Sequence, residues 1–183
     1  MYERVTVSRE IETVAIPSGE RVTVPEGTQA TITQALGGSY TIMTERGMMV
    51  RVSGAAVSAI GKPVIEQVRV EGEVRQEDLE KLVQEQLKTC FDPEIPVNIL
   101  DLGLVYLCEI KPAEKAEGEY DIEVKMTLTA PACGMGPVLA ADVEQKLRAL
   151  PKVHDVRVDI VFDPIWDRSM MSEAAKLQLG MYY

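Results

Sequence analysis

The sequence predicts an α+β protein: a C-terminal domain of order helix-strand-strand-helix-strand with a mixed three-stranded sheet, preceded by a small all-β N-terminal domain. Three observations lead there. Residues 1 to about 65 alternate apolar and polar positions and carry a turn signal every 8 to 12 residues or so. At Gln76 the apolar period changes from two to a helical one. Beyond it, two alternating runs, Tyr120 to Thr129 and Val153 to Phe162, flank a second helical stretch that starts at Pro137.

In residues 1–65 the alternating pairs are Val5/Val7, Val14/Ile16, Val22/Val24, Ala30/Ile32, Tyr40/Ile42 and Met48/Val50/Val52. Turn residues separate them: Pro17-Ser18-Gly19, Pro25-Glu26-Gly27, Gly37-Gly38-Ser39 and Arg46-Gly47. Short, evenly spaced strands of this kind predict a small β-barrel or sandwich that serves as a scaffold or docking module. A linker is expected over residues 66–75, and the second domain over 76–183. There, Leu79, Leu82, Val83 and Leu87 form the apolar stripe of a first helix, which ends before Phe91-Asp92-Pro93. Strands follow at Leu104 to Ile110 and at Tyr120 to Thr129, the second burying Tyr120, Ile122, Val124, Met126 and Leu128. The segment "KPAEKAEGE" between them is a solvated connection. A second helix, Pro137 to Leu150, carries Leu139, Val143 and Leu147 on one face, with proline in its first turn as a start signal. The last strand, Val153 to Phe162, is expected to bury Val156, Val158, Ile160 and Phe162. In the tail "DRSMMSEAAKLQLGMYY", Ser169 or Ser172 can cap a short helix, with Met170, Met171, Ala174, Leu177 and Leu179 as its apolar residues.

Topology then says which residues can meet. Consecutive strands joined by a loop pair antiparallel, whereas strand-helix-strand makes a right-handed crossover between parallel strands. Three segments converge at one end of such a sheet: Asp92 to Asp101 entering the first strand, Thr129 to Gly136 leaving the second, and Asp163 to Trp166 leaving the third.

Composition excludes several classes of function. A formal net charge of -10 argues against binding nucleic acid or an anionic membrane surface, since both depend on clustered Lys and Arg. No run of about 18 apolar residues is present, and "MYERVTVSRE" lacks a signal-type apolar core, so a cytoplasmic location is expected. Cys90, Cys108 and Cys133 are odd in number and far apart, which fits neither a disulfide framework nor a zinc site within one chain.

Cys133, in "PACGMGP", is the candidate functional residue. It lies just ahead of a helix start, where free N–H groups and the helix dipole favour a thiolate, the form that serves as nucleophile and metal ligand. Gly134 and Gly136 let backbone approach whatever the sulfur holds. The alternative is a tight strand-to-helix turn with a small buried side chain. Asp92, Glu94 and Asp101 can supply oxygen ligands or charge, but turn chemistry at Asp92-Pro93 and Asp101-Leu102-Gly103 explains them equally. Cys108 and Cys90 read as small buried apolar residues. His154, the single histidine, starts the last strand, roughly 25 Å from Cys133 at about 3.3 Å per residue. A Cys-His nucleophile pair within one chain is therefore not expected.

Three segments, "DPEIPVNILDLGLVY", "MTLTAPACGMG" and "WDRSMMSEAAKLQLGM", resemble the metal-sulfur (iron-sulfur) cluster assembly domain family. The resemblance spans Gln76 to Met181; the β-rich extension before it is similar to that of SufT-type members, and the family is related to PaaD. It implies an accessory role in assembling iron-sulfur clusters or delivering them to apoproteins, not catalysis. By motif position it implies Asp92, Glu94, Asp101, Thr129 and Cys133 as cluster- or cofactor-handling residues, with Cys133 as metal ligand, and more loosely Trp166 and Glu173. Ala132 stands where a glycine is common in the family. Iron-sulfur clusters usually take four thiolates and this site offers one per chain, so the expected cargo is a transient cluster or iron, with none stably bound by one chain. The expected partners are iron-sulfur scaffold or carrier proteins and client apoproteins, and a homodimer or other homo-oligomer that brings two Cys133 residues together is a second route. Two rivals stand beside this reading: a non-metal adaptor that recruits assembly components, and a thiol-dependent enzyme.

Overall fold

Alternation in the first third of the chain becomes six strands: β1 (Glu3–Thr6), β2 (Ile11–Ala15), β3 (Arg21–Val24), β4 (Gln29–Leu36), β5 (Ser39–Thr44) and β6 (Met49–Val52). The computed structural model describes residues 3–64, 74–92, 94–131 and 133–181. It divides into two compact units, Met1–Glu66 and Gln67–Tyr183. Most of the linker expected over 66–75 lies outside the described residues.

In the first unit the strands form one antiparallel sheet of order β1-β4-β5-β6-β2-β3. Where the sequence predicts a small barrel or sandwich, the strands form one hydrogen-bonded sheet with β1 and β3 at its edges. Gly37 and Gly38 join β4 to β5 in a two-residue turn, both at positive φ (57° and 79°), the conformation a tight hairpin needs and glycine supplies without strain. Val7, Ile11, Val24, Ile32, Ile42, Val50 and Val52 form the core. Sequence reading missed what closes it: a 3-10 helix, Gly54–Ile60, buries Val57, Ala59 and Ile60 against the sheet and accepts the Ser8 amide at the Ala59 carbonyl.

The second unit follows the expected order: α1 (Gln76–Leu87), β7 (Val105–Pro112), β8 (Tyr120–Met126), α2 (Gly136–Arg148) and β9 (Val153–Ile160), then a 3-10 turn and α3 (Glu173–Gln178). The sheet order is β7-β8-β9, with β7 antiparallel and β9 parallel to β8. Leu79, Val83 and Leu87 of α1 and Leu139, Val143 and Leu147 of α2 are buried with Ile122, Val124, Met126 and Val156 of the strands. Truncating one of these leucines to alanine costs about 2–5 kcal/mol. The expected burial is only partial at Tyr120, Val158 and Ile160 and fails at Phe162, which is 45% exposed. β9 ends at Ile160, and the chain leaves the sheet before the alternation can place Phe162 under a helix. No helix among the described residues is long and apolar enough to cross a membrane.

The tail is stitched to the loop that enters β7. Met171 and Ala175 join the core, and Trp166 Nε1 donates to the Leu102 carbonyl at 2.7 Å. Gly103 sits at φ +71°, and a Cβ there would overlap the Met170 carbonyl oxygen. We therefore expect Gly103→Ala to cost about 1–3 kcal/mol from the left-handed backbone alone, and more from displacing the tail. Thermal unfolding of this variant beside wild type measures it; an unchanged midpoint would show that the tail is not held there.

Candidate functional site

Two loops meet through a buried carboxylate. After α1 the chain makes a short antiparallel bridge, Phe91 to Asn98, and the Ile99 amide donates to the Cys90 carbonyl at 2.9 Å. Inside this bend Asp92 is 4% exposed, and its Oδ1 accepts the amides of Glu94 and Ile95, each at 2.9 Å. These bonds satisfy loop N–H groups that no strand or helix could pair. Its Oδ2 faces the other way and accepts the Thr129 hydroxyl at 3.3 Å. Thr129 lies just beyond β8, in the loop that carries Cys133, so one side chain fastens the acidic loop to the cysteine loop.

Cys133 is half-buried against the main core. Its amide donates to the Ala130 carbonyl at 3.1 Å, and its own carbonyl accepts the Gly136 amide at 3.2 Å. The loop is thereby folded tightly between the end of β8 and the start of α2. Met135 at the helix start is buried, and α2 begins without a side-chain cap. A Cβ on Gly136 would overlap Leu128 Cδ1 at 2.6 Å, so the small residue lets the loop close onto the sheet. Ala132 lies outside the described residues.

Asp101 does different work from Asp92. Asn98 Nδ2 donates to Asp101 Oδ2 at 2.6 Å, while the Asp101 amide donates to Asn98 Oδ1 at 2.9 Å. Ser172 Oγ donates to Asp101 Oδ1 at 2.8 Å, and the Ser172 amide donates to the Asp101 carbonyl at 2.8 Å. Ser172 also caps α3 by accepting the Ala175 amide at 3.1 Å. Both carboxylate oxygens are engaged inside the protein. Gln178 Nε2 adds a further tie to the Pro96 carbonyl at 2.8 Å. Glu94 is exposed and points no acceptor at these links. Glu173 is also exposed and pairs with Lys176 at 2.9 Å.

All three convergent segments are therefore joined: Asp92 to Thr129, Asp101 to Ser172, and Tyr106, whose hydroxyl donates to the Pro164 carbonyl at 2.9 Å. His154 lies at the far end, beside Asp121 at 2.9 Å, where β9 begins alongside the start of β8. Cys90 is buried, and Cys108 is half-buried with its thiol pushed up by burial and then by the charge of Glu80. Sequence reasoning missed Asn98, Ser172 and Gln178 as positioning residues. The Asn-x-x-Asp spacing at 98–101 carried a signal for the first; nothing local marks a serine 71 residues further on as a partner of Asp101.

Two outcomes test these links. Asp92→Ala leaves the Glu94 and Ile95 amides without their acceptor, and we expect a loss of about 1–3 kcal/mol with faster hydrogen exchange at both amides. Unaltered exchange there would remove Asp92 as the fastener. For Asp101, the hydrogen bonds from Asn98 and then Ser172 outweigh burial and hold the carboxyl below its ordinary value, with Lys88 adding a smaller pull. A folded value below the unfolded one means that the link stabilises the ionised state and is lost as the pH falls through the folded value, below 3.8. Fluorescence of Trp166, the single tryptophan, should report tail release in that acid window in wild type. Asp101→Ala should show the released signal already at neutral pH, and a wild-type signal there would break the assignment.

Residues 80–160 match the family described as iron-sulfur cluster assembly protein. An Fe-S protein maturation auxiliary factor of Porphyromonas gingivalis is 42% identical over 101 residues, 55% of this chain and 90% of that protein. The Fe-S protein maturation auxiliary factor SufT of Staphylococcus aureus is 39% identical over 90 residues, 49% of this chain and 96% of that protein. The auxiliary factor YitW of Bacillus subtilis is 35% identical over 106 residues, 58% of this chain and 98% of that protein. The match falls on the unit that carries the fastened loops, and at this identity over nearly the whole of each relative the chain belongs to the iron-sulfur cluster assembly family, among its Fe-S protein maturation auxiliary factors.

Proposed function

We propose that the chain is an accessory factor in iron-sulfur cluster assembly or delivery to apoproteins, with Cys133 as a transient ligand of the cluster or its iron. Family membership supports the process. The observation that carries the residue assignment is the Asp92–Thr129 bond, which fixes the base of the Cys133 loop while the thiol itself is half-buried on it. Among the described residues no group of three or more His, Cys, Asp and Glu side chains is arranged to hold a metal ion. Cys133 offers one thiolate where a cluster usually takes four, so on this reading the other donors come from another molecule, and a lone thiolate releases its cargo when that molecule supplies better ligands.

On this reading the exchange is ligand substitution. Sγ of Cys133 bonds iron as its proton passes to the departing donor thiolate; a recipient thiol then bonds the iron as its proton returns to Cys133, and no electron changes hands. Asp92 and Thr129 position the loop, Asp101 positions the tail beside it, and Glu94 is the acidic side chain that remains free to meet a partner. Scaffold or carrier proteins and client apoproteins are the partners, the cytoplasm is the compartment, and a second copy of the chain is the alternative source of a second thiolate. The role is not enzymatic. A thiol enzyme needs a base or resolving thiol next to its cysteine, whereas His154 sits with Asp121 at the far end of the sheet.

Cys133→Ser tests the assignment. We expect its thermal stability to stay within about 0.5 kcal/mol of wild type, since serine is nearly isosteric in a half-buried loop. We also expect it to fail to restore iron-sulfur client enzymes in cells lacking the native protein, because a protonated hydroxyl is a poor ligand for iron in a sulfide cluster. Full rescue by a stably folded serine variant would instead favour the adaptor, in which the protein recruits other factors and never touches the metal.

A further inference from the structure

The open edge of the sheet has a second feature that the Cys133 loop does not use. β7 stands at the end of the order β7-β8-β9, so one side of its backbone has no neighbouring strand among the described residues. Along that edge, between β7 and α1, runs a groove of about 680 Å³. Cys108 and Ile110 line it from β7, both half-buried, and Glu77, Glu80, Lys81 and Glu85 line it from the exposed flank of α1. Three carboxylates against one ammonium make it acidic. None of those carboxylates belongs to an ion pair among the described residues. The opposite face of the same sheet is arranged otherwise. There Lys125 pairs with Glu123 at 3.6 Å, Arg157 with Asp159 at 2.9 Å and His154 with Asp121 at 2.9 Å. On the groove side Glu77, Glu80 and Glu85 have no such partner among the described residues, so the groove keeps a net negative charge.

We propose that this edge binds an extended, basic segment of a partner protein by strand addition to β7. Backbone groups of the segment pair with the free side of β7. Alternate side chains then enter the groove, apolar ones over Cys108 and Ile110 and Lys or Arg toward Glu77, Glu80 and Glu85. A second copy of this chain is the weaker occupant. Its own β7, "VYLCEIKP", brings one Glu and one Lys and so no net positive charge, and it would set a second acidic groove and a second net charge of -10 beside the first. The inference is independent of whether Cys133 handles iron.

The test uses the full chain, labelled for amide spectroscopy, and two blocked octapeptides, one alternating Lys and Val and the other alternating Glu and Val. The Lys-Val peptide should shift amides of β7 and α1 and slow alkylation of Cys108 by iodoacetamide, while the Glu-Val peptide should do neither. Replacing Glu80 by Gln, a change at an exposed position, should weaken the Lys-Val peptide about 2- to 5-fold without altering the spectrum elsewhere. Equal binding of both peptides, shifts confined to other surfaces, or no shifts at millimolar peptide would each overturn the proposal. So would β7 amides that move with protein concentration alone, which would assign the edge to a second copy.

Discussion

The parallel pairing of β8 with β9 is the constraint from which the rest of the second unit follows. A parallel partner can be reached only by carrying the chain back along the sheet, and α2 does this. Both strands therefore end on the same side: Val161 donates to the Met126 carbonyl where β9 leaves the sheet, and the Thr129–Cys133 loop departs from the same edge. β7, antiparallel to β8, begins there too. Three chain segments with no sequence proximity are delivered to one place by a single choice of strand direction, and side chains then need to reach only a few ångströms to join them.

The carboxylates at that end divide their labour. Asp92 and Asp101 lie nine residues apart and look alike in sequence, yet each has both oxygens committed inside the protein, one toward the Cys133 loop and the other toward the tail. Buried Asp92 persists because its oxygens are satisfied by the amides of Glu94 and Ile95 and the Thr129 hydroxyl, and partly buried Asp101 is held by Asn98 and Ser172. The consequence for function is mechanical. Every oxygen of both groups already accepts a hydrogen bond within the protein, and both groups brace the backbone around Cys133.

Much of the second unit was legible in the sequence because its elements obey simple periods. The α1 stripe Leu79, Val83 and Leu87 and the β8 alternation Ile122, Val124 and Met126 are buried as read. The strand directions followed from connection length alone. What the sequence hid depends on contacts between distant residues. Ser172 was readable as a helix cap but not as a donor to Asp101, and Trp166 as a motif residue but not as a donor to Leu102. Phe162 continued the alternation of β9 on paper, although the strand had already ended. In the first unit, "GAAVSAI" has neither a strand period nor enough length to show a helical one, so the 3-10 helix that closes the core left no periodic trace.

On the proposed reading, in which Cys133 is a transient ligand of the cluster or its iron, a single cysteine on a braced loop suits a cargo that must be passed on. Affinity for a metal-sulfur centre rises with the number and preorganisation of its thiolates, and a four-thiolate site would hold the cluster against the recipient. One thiolate contributes a bond that the recipient's ligands can displace. The entropy of finding the geometry is met elsewhere: the bonds at Asp92, Thr129, Ala130 and Gly136 fix the loop before any partner arrives, so a partner need order only its own ligands. On that reading, rigidity resides in the scaffold around Cys133 and lability in the one bond proposed for it. A site that is strong where it is structural and weak where it is chemical can take up a cluster and let it go.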